Sequence, residues 1–484
     1  MENENWSAST LPSQECDVVV VGMGMAGLVA ANRLTELGAN VLIMDKQPDG
    51  WWIGGDAIIA GQAIHICGLS PMMQEDQLLE IINRHTDCKA IPELTYALVK
   101  NSHRSMKWLI EKGVEFEEPP GQERILKPKK PVSGPWASIK PGAIYDSTKY
   151  GGYKAMKLLE TRLNKEGAKI LYETKAEKLL IDSKGEIAGV LAKNKKGLFK
   201  IKAKATILCT GGFQRNKEML LKYIGPHVDQ VPVFSEPGAT GDGILMALEA
   251  GAAVRSMNYM SFNAWPEAAC MNEDIQYLNI NPIGVEGIIV NKSGERICDE
   301  SLGSNMYGSI MTKLSLETVG LMVIDEEIYK QKVKPLVDAI PEFKGTVHSA
   351  NTIEDLAKKA GVSPYLATTV SEFNEAVDEG KTAKLRIPKA ENINKIASPP
   401  FYGIPFTLGQ VSTHGGLLVN TKSEVQDRDL KTIPGLYAAG AVMQGSLSGG
   451  SENRYTSYVG HLATCLVFGI LSAENAFERV NYPP

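Results

Sequence analysis

Residues 16–46 read CDVVVVGMGMAGLVAANRLTELGANVLIMDK. Four consecutive valines, Val18 to Val21, make the kind of continuous apolar run that is buried on both faces of a parallel sheet. A glycine-rich turn follows, then an Ala/Leu-rich helical stretch ending at Gly38, then a second apolar run that closes on Asp45. Strand, turn, helix and strand in that order predict a βαβ unit. Its turn carries Gly22, Gly24 and Gly27 in the GxGxxG spacing. Gly22 permits the tight turn, Gly24 lets backbone approach a pyrophosphate, and Gly27 lets helix pack on strand. The free N–H groups at the helix start suit phosphate oxygens. Asp45 lies 18 residues beyond Gly27, where a carboxylate reaches ribose hydroxyls.

Further glycine turns recur along the chain. WWIGGDAIIAGQ (51–62) brings Gly54, Gly55, Asp56 and Gly61 directly after the second strand. KAKATILCTGGFQRN (202–216) reads as a strand running into Thr210, Gly211 and Gly212. GATGDGILMALEAGA (238–252) is a turn and a helix start carrying Asp242, and TIPGLYAAGAVMQG (432–445) is a strand ending at Gly440. Several separated turns converging on one ligand imply a long molecule held along its whole length, and FAD fits better than NAD. The segment 253–385 lacks such turns and reads as an insertion. The expected fold is α/β: a Rossmann-like FAD-binding domain (1–252 and 395–484) interrupted by an α+β capping domain (253–394).

Bulk properties narrow the partners. A chain of 484 residues is long enough for two or three domains. A net charge of −5 argues against nucleic acid. Seven scattered cysteines without a CxxC pair argue against a structural metal or a disulfide framework. No apolar run of membrane-spanning length occurs, and the polar, acidic N-terminus lacks signal-peptide features. A cytoplasmic location without a membrane span is the expectation.

The ordered motifs GMGMAG, GGDAIIAG, CTGGF, TGDG, THGGL and GLYAAG resemble the fumarate reductase/3-ketosteroid dehydrogenase flavoproteins over roughly residues 15–475. The resemblance implies FAD, a substrate held between cap and flavin ring, and hydride exchange between flavin N5 and a carbon of an activated C=C or CH–CH unit. It adds Ala26, Lys46, Ala176, His414 and Gly415 to the cofactor contacts. With no second nucleotide fingerprint visible, electrons would pass through an external carrier. The flavin-linking His of succinate dehydrogenases has no counterpart where Ile58 and Ile59 stand, so non-covalent FAD is expected.

Departures from the family pattern bear on the substrate. Fumarate reductases carry His-Thr-Met-Gly-Gly, whose His binds substrate carboxylate; here STHGG puts Ser412 at that place. Their proton-donating Arg is replaced in the stretch GERICDESLGSNMYG, where Ser304 or Asn305 stands. Arg454 of ENRY does match the family's last carboxylate-binding Arg. Tyr455-Thr456-Ser457 matches the Tyr-x-Ser pair of ketosteroid-type members, and Tyr307 stands near another of their active-site tyrosines. The resemblance thus implies Tyr455, Ser457, Tyr307 and Arg454 as catalytic residues. It implies a C=C bond beside a carbonyl, in a 3-oxosteroid or similar bulky enone, formed or reduced with Tyr as acid/base. An unsaturated carboxylate of the fumarate or urocanate kind, anchored by Arg454, is the alternative. The helix N-terminus after GGSENRYTSYVGH (449–461) is expected to face the flavin pyrimidine end. Tyr259, Phe262, Trp265 and Tyr277 are candidate pocket walls, and His461 reads as structural.

Overall fold

The computed structural model describes residues 11–50, 53–58, 63–65, 75–117, 136–139, 151–267, 278–312, 319–449 and 460–482. Strand β1 (Ser13–Val21) lies near the middle of an eight-stranded sheet. It pairs in parallel with β2 (Val41–Met44) on one side, Val18 opposite Val41, and with strand Gly197–Leu208 on the other, Val18 opposite Ala205. Strand Thr432–Ala438 adds in parallel beyond Gly197–Leu208, and Lys169–Leu171 beyond β2. Burial on both faces explains the valine run: Val18, Val19 and Val20 have no exposed surface. Helix α1 (Met25–Glu36) crosses from β1 to β2, and helix His461–Asn481 packs against it. The fold is mixed α/β, with the βαβ unit where the sequence indicates it.

The inserted segment builds a second, antiparallel sheet. Strands Met260–Pro266, Val319–Ile324 and His348–Ala350 pair with the long strand Phe401–Thr413, and Ile288–Val290 adds beyond Val319–Ile324. The sheet therefore takes in a strand beyond residue 394, where the sequence reading places the return to the first domain. Phe401–Thr413 runs from this sheet into the turn His414-Gly415, and strand Gly416–Leu417 follows. Gly416–Leu417 pairs with Val254–Arg255 in a separate two-stranded sheet, so the segment leads out of the inserted sheet through that turn.

A buried ion pair holds the insertion's own core. Arg296 and Glu300 meet at 2.7 Å with almost no exposed surface, and Arg296 also donates to the Ile387 carbonyl. Lys389, equally buried, donates to the Val285 and Gly287 carbonyls. These contacts fasten the chain at 387–389 to the insertion before it enters Phe401–Thr413. Among the described residues no helix is long and apolar enough to cross a membrane.

Candidate active site

The turn after β1 forms a cradle. Gly22 has φ +102°, and a Cβ there would lie 2.4 Å from the Cys209 carbonyl oxygen. Gly24 caps α1 in extended conformation, and the first turn of that helix holds no acidic residue. A Cβ on Gly24 would meet no protein atom closer than the Gly54 oxygen at 3.9 Å, so the space before it belongs to a cavity. The second glycine pair lies alongside: the Gly54 amide donates to the Met23 carbonyl at 2.9 Å.

That cavity has a volume of ≈ 410 Å³. Gly22, Gly24, Ala26, Asp45, Lys46, Gly54, Gly55 and Asp56 line it, as do Ala176, Thr210, Gly211 and Asp242. Gly27, Gly212, Gly415 and Gly440 stand behind its wall. Each is a point of close packing: a Cβ on Gly212 would lie 2.4 Å from Thr413 Oγ1, and one on Gly415 2.4 Å from Met257 Cα. His414 also lies behind the wall, fully buried. Gly61, Arg454, Tyr455, Ser457 and Tyr277 lie outside the described residues.

Acidic groups gather at one end. Asp45 accepts the Met23 amide at 2.6 Å and the Gln47 amide at 2.8 Å. Each carboxylate oxygen has a second lone-pair site, so both remain able to accept a hydroxyl. Lys46 bridges Thr240 at 2.6 Å and Asp242 at 2.7 Å, joining the end of β2 to helix Asp242–Glu249. Asp56 accepts the Glu236 amide at 2.6 Å and Gln214 Nε2 at 2.9 Å. Burial raises the pKa of Asp45 and, with the Glu236 charge beside it, of Asp56. Glu236 itself is pushed up to about 7, chiefly by burial. Sequence reasoning missed Glu236; its one signal was its place in the turn SEPGATGDG.

The other end is built by strand alternation. Ser261, Asn263 and Trp265, every second residue of Met260–Pro266, line the cavity together with Phe234, Val411 and Ser412. Phe234 and Trp265 rings pack at 5.2 Å. Ser261 Oγ donates to the Ser412 carbonyl at 3.2 Å, and Ser412 Oγ to the Thr413 carbonyl at 3.3 Å. Ser304 Oγ donates to Asn263 Oδ1 at 3.4 Å, and the other end of that side-chain amide carries two N–H donors. Of the aromatic candidates, Trp265 faces the cavity. Phe262, of opposite parity, is buried against Gly308.

Tyr307 is away from the cavity. It has no exposed surface, donates to Asn281 Oδ1 at 3.0 Å and packs edge-on against Phe406. Burial raises its phenol pKa well above the usual value. His461, by contrast, lines the cavity and packs against His414 with ring centroids 4.5 Å apart and planes tilted by 48°. Cys209 and Cys465 line it too.

The profile of the FAD binding domain family matches residues 17–453. The chain belongs to this family. FAD is its cofactor, and the cradle fits it: an acid-free helix N-terminus, open space before Gly24 and a wall of glycine turns. The chain is 30% identical to the NADH:fumarate oxidoreductase of Klebsiella pneumoniae (strain 342), over 96% of its own length and 48% of that protein. It thus spans about half of that relative. A vinyl phenol reductase of Lactiplantibacillus plantarum is 27% identical, covering 88% of this chain and 89% of that one. The structure of 3-ketosteroid-Δ4-(5α)-dehydrogenase from Rhodococcus jostii RHA1, in complex with 4-androstene-3,17-dione, superposes with a TM-score of 0.77. It is 24% identical and covers 97% of this chain and 98% of that chain, a likeness of fold.

Proposed function

We propose that the protein is an FAD-dependent oxidoreductase that reduces a C=C bond conjugated to a carbonyl in a neutral, bulky substrate of the enone or 3-oxosteroid kind. The observation that carries this reading is the uncharged wall Ser261, Asn263, Trp265 and Ser412. A carboxylate brought there would lose its hydration without meeting a cation among the described residues of that wall. A ketone oxygen needs one or two neutral donors, and Asn263 offers them. Trp265 and Phe234, tilted 39° to one another, supply aromatic surface for a ring system.

Bound FAD supplies hydride transfer at the ring carried by this cavity. The chain's own residues hold, orient and protonate. Gly22, Gly24 and the first turn of α1 hold the pyrophosphate, and Asp45 the ribose. Asn263 orients the substrate carbonyl and stabilises negative charge developing on its oxygen. Tyr455, supported by Ser457, gives the proton to the carbon α to that carbonyl. Ile58, a buried residue, stands in the neighbourhood of the family's linking His, which supports non-covalent FAD. Electrons arrive from an external carrier.

A second reading has its own support. The Klebsiella relative is named for fumarate, and Arg454 matches a carboxylate-binding Arg. In that case the substrate is an unsaturated carboxylate anchored by Arg454. The relative named for vinyl phenol lends support to a neutral substrate. Anaerobic reoxidation of the reduced protein by candidate substrates separates the two readings.

A further inference from the structure

Helix His461–Asn481 turns three residues of its first part, His461, Leu462 and Cys465, toward the cofactor cavity. His461 and Cys465 are four apart, so they share one face, little more than one turn and roughly 6 Å along the axis. Cys465 marks the phosphate end. A Cβ on Gly440 would lie 2.8 Å from the Ala26 Cβ and 3.1 Å from Cys465 Sγ, which puts that thiol beside the first turn of α1. The imidazole of His461 marks the opposite direction. It packs against His414, two residues after Ser412, which lines the substrate end. His461 therefore stands between the phosphate cradle and the substrate wall. A redox ring that must touch the substrate while its phosphates sit on α1 has to pass this point.

We infer that His461 is a contact of the flavin ring that sets its potential through a neutral hydrogen bond, with His414 as the neighbour that holds its orientation. Three features support this role. The Nε2 atom of His461 is buried without a hydrogen-bond partner among the described residues. The close, tilted contact with a fully buried His414, whose own amide is tied to the Tyr259 carbonyl at 2.9 Å, restricts the turning of the His461 ring. Burial also holds His461 down to about 4 and His414 well below the ordinary histidine range, so both rings are uncharged near neutrality. An uncharged ring at a helix N-terminus stabilises negative charge by dipoles alone. Removing it should disfavour reduced FAD relative to oxidised FAD without adding or removing a net charge.

The inference rests on FAD as cofactor and not on the enone reading, and its test uses no substrate. The midpoint potential of FAD-loaded protein is measured against reference dyes for wild type, His461→Ala and His461→Gln, with visible spectra of each. His461→Ala is expected to shift the potential negative by about 30 mV, the equivalent of a tenfold weaker preference for reduced FAD in a two-electron couple. It is also expected to perturb the flavin absorption bands. His461→Gln, which keeps an N–H donor, should recover most of both. An unchanged potential and spectrum in His461→Ala overturns the inference. If His461→Ala fails to retain FAD, the Gln variant decides: a near-wild-type potential supports the contact, and a shift of about 30 mV or more overturns the donor role.

Discussion

Gly27 and Gly22 touch across the start of α1: a Cβ on Gly27 would lie 1.9 Å from the Gly22 carbonyl oxygen. Gly24, between them, faces open cavity. The two glycines therefore answer differently to substitution. Gly27→Ala forces the helix off the strand and should cost about 1–3 kcal/mol of stability, the range for overpacking a closely packed site. Gly24→Val leaves the fold close to wild type but fills the space the pyrophosphate needs. Flavin absorbance of purified protein and thermal melts check the pair. Loss of FAD with retained melting is expected for Gly24→Val; a colourless, destabilised protein is expected for Gly27→Ala.

Glu236 should make the stability of FAD-free protein depend on pH. Its folded pKa of about 7 lies above the ordinary carboxylate value of 4.5. A raised pKa contributes stability that is fully present below the unfolded value and is lost as pH rises through the folded one. Glu236→Gln keeps the neutral form at every pH. Its advantage over wild type should be absent below pH 4.5 and grow up to pH 7. Above that it should level off at roughly 1–3 kcal/mol, discounted for the side chain's partial exposure. Denaturant titrations across this range check it; a constant difference at all pH values would show that Glu236 is not the titrating group.

Asn263 carries the substrate carbonyl in this account. Asn263→Leu should lower kcat/KM for a neutral enone by about 10–100-fold, the scale of a hydrogen bond lost from a developing charge. FAD content should not change. Steady-state kinetics with flavin absorbance as the control reads both.

The first domain was legible because its signals are local. Four valines, three spaced glycines and one acid occupy a single stretch, and β1, α1 and β2 follow it. The cap boundary was less legible. Phe401–Thr413 is buried along both faces, so its sequence shows no alternation, and nothing in it says which sheet it joins. His461 reads as structural in the sequence because a histidine opening an apolar helix looks the same whether it faces core or cavity. Trp265 and Phe262 were indistinguishable as aromatics; strand parity separates them. Tyr307 stands a few residues off a family tyrosine position, and its hydroxyl donates to Asn281, a residue 26 positions earlier.

Tyr455 and Arg454 divide the two substrate readings by mutation. Tyr455→Phe should slow turnover by about a hundredfold or more, the usual scale for a lost proton donor, with FAD retained. Arg454→Ala should have a modest effect on a neutral enone. Abolished turnover together with weakened acid binding in Arg454→Ala would favour the carboxylate. Full turnover in Tyr455→Phe would remove Tyr455 from the mechanism.

The most direct measurement is flavin reoxidation without oxygen. The bound FAD is reduced chemically under anaerobic conditions, and neutral enones, including 3-oxosteroids, are offered in parallel with fumarate, urocanate and acrylate. Recovery of the oxidised flavin band near its original intensity reports transfer to the C=C bond. The account predicts rapid recovery with a neutral enone and slow or no recovery with the acids. Recovery with an unsaturated acid alone would contradict it and would assign the site to a carboxylate.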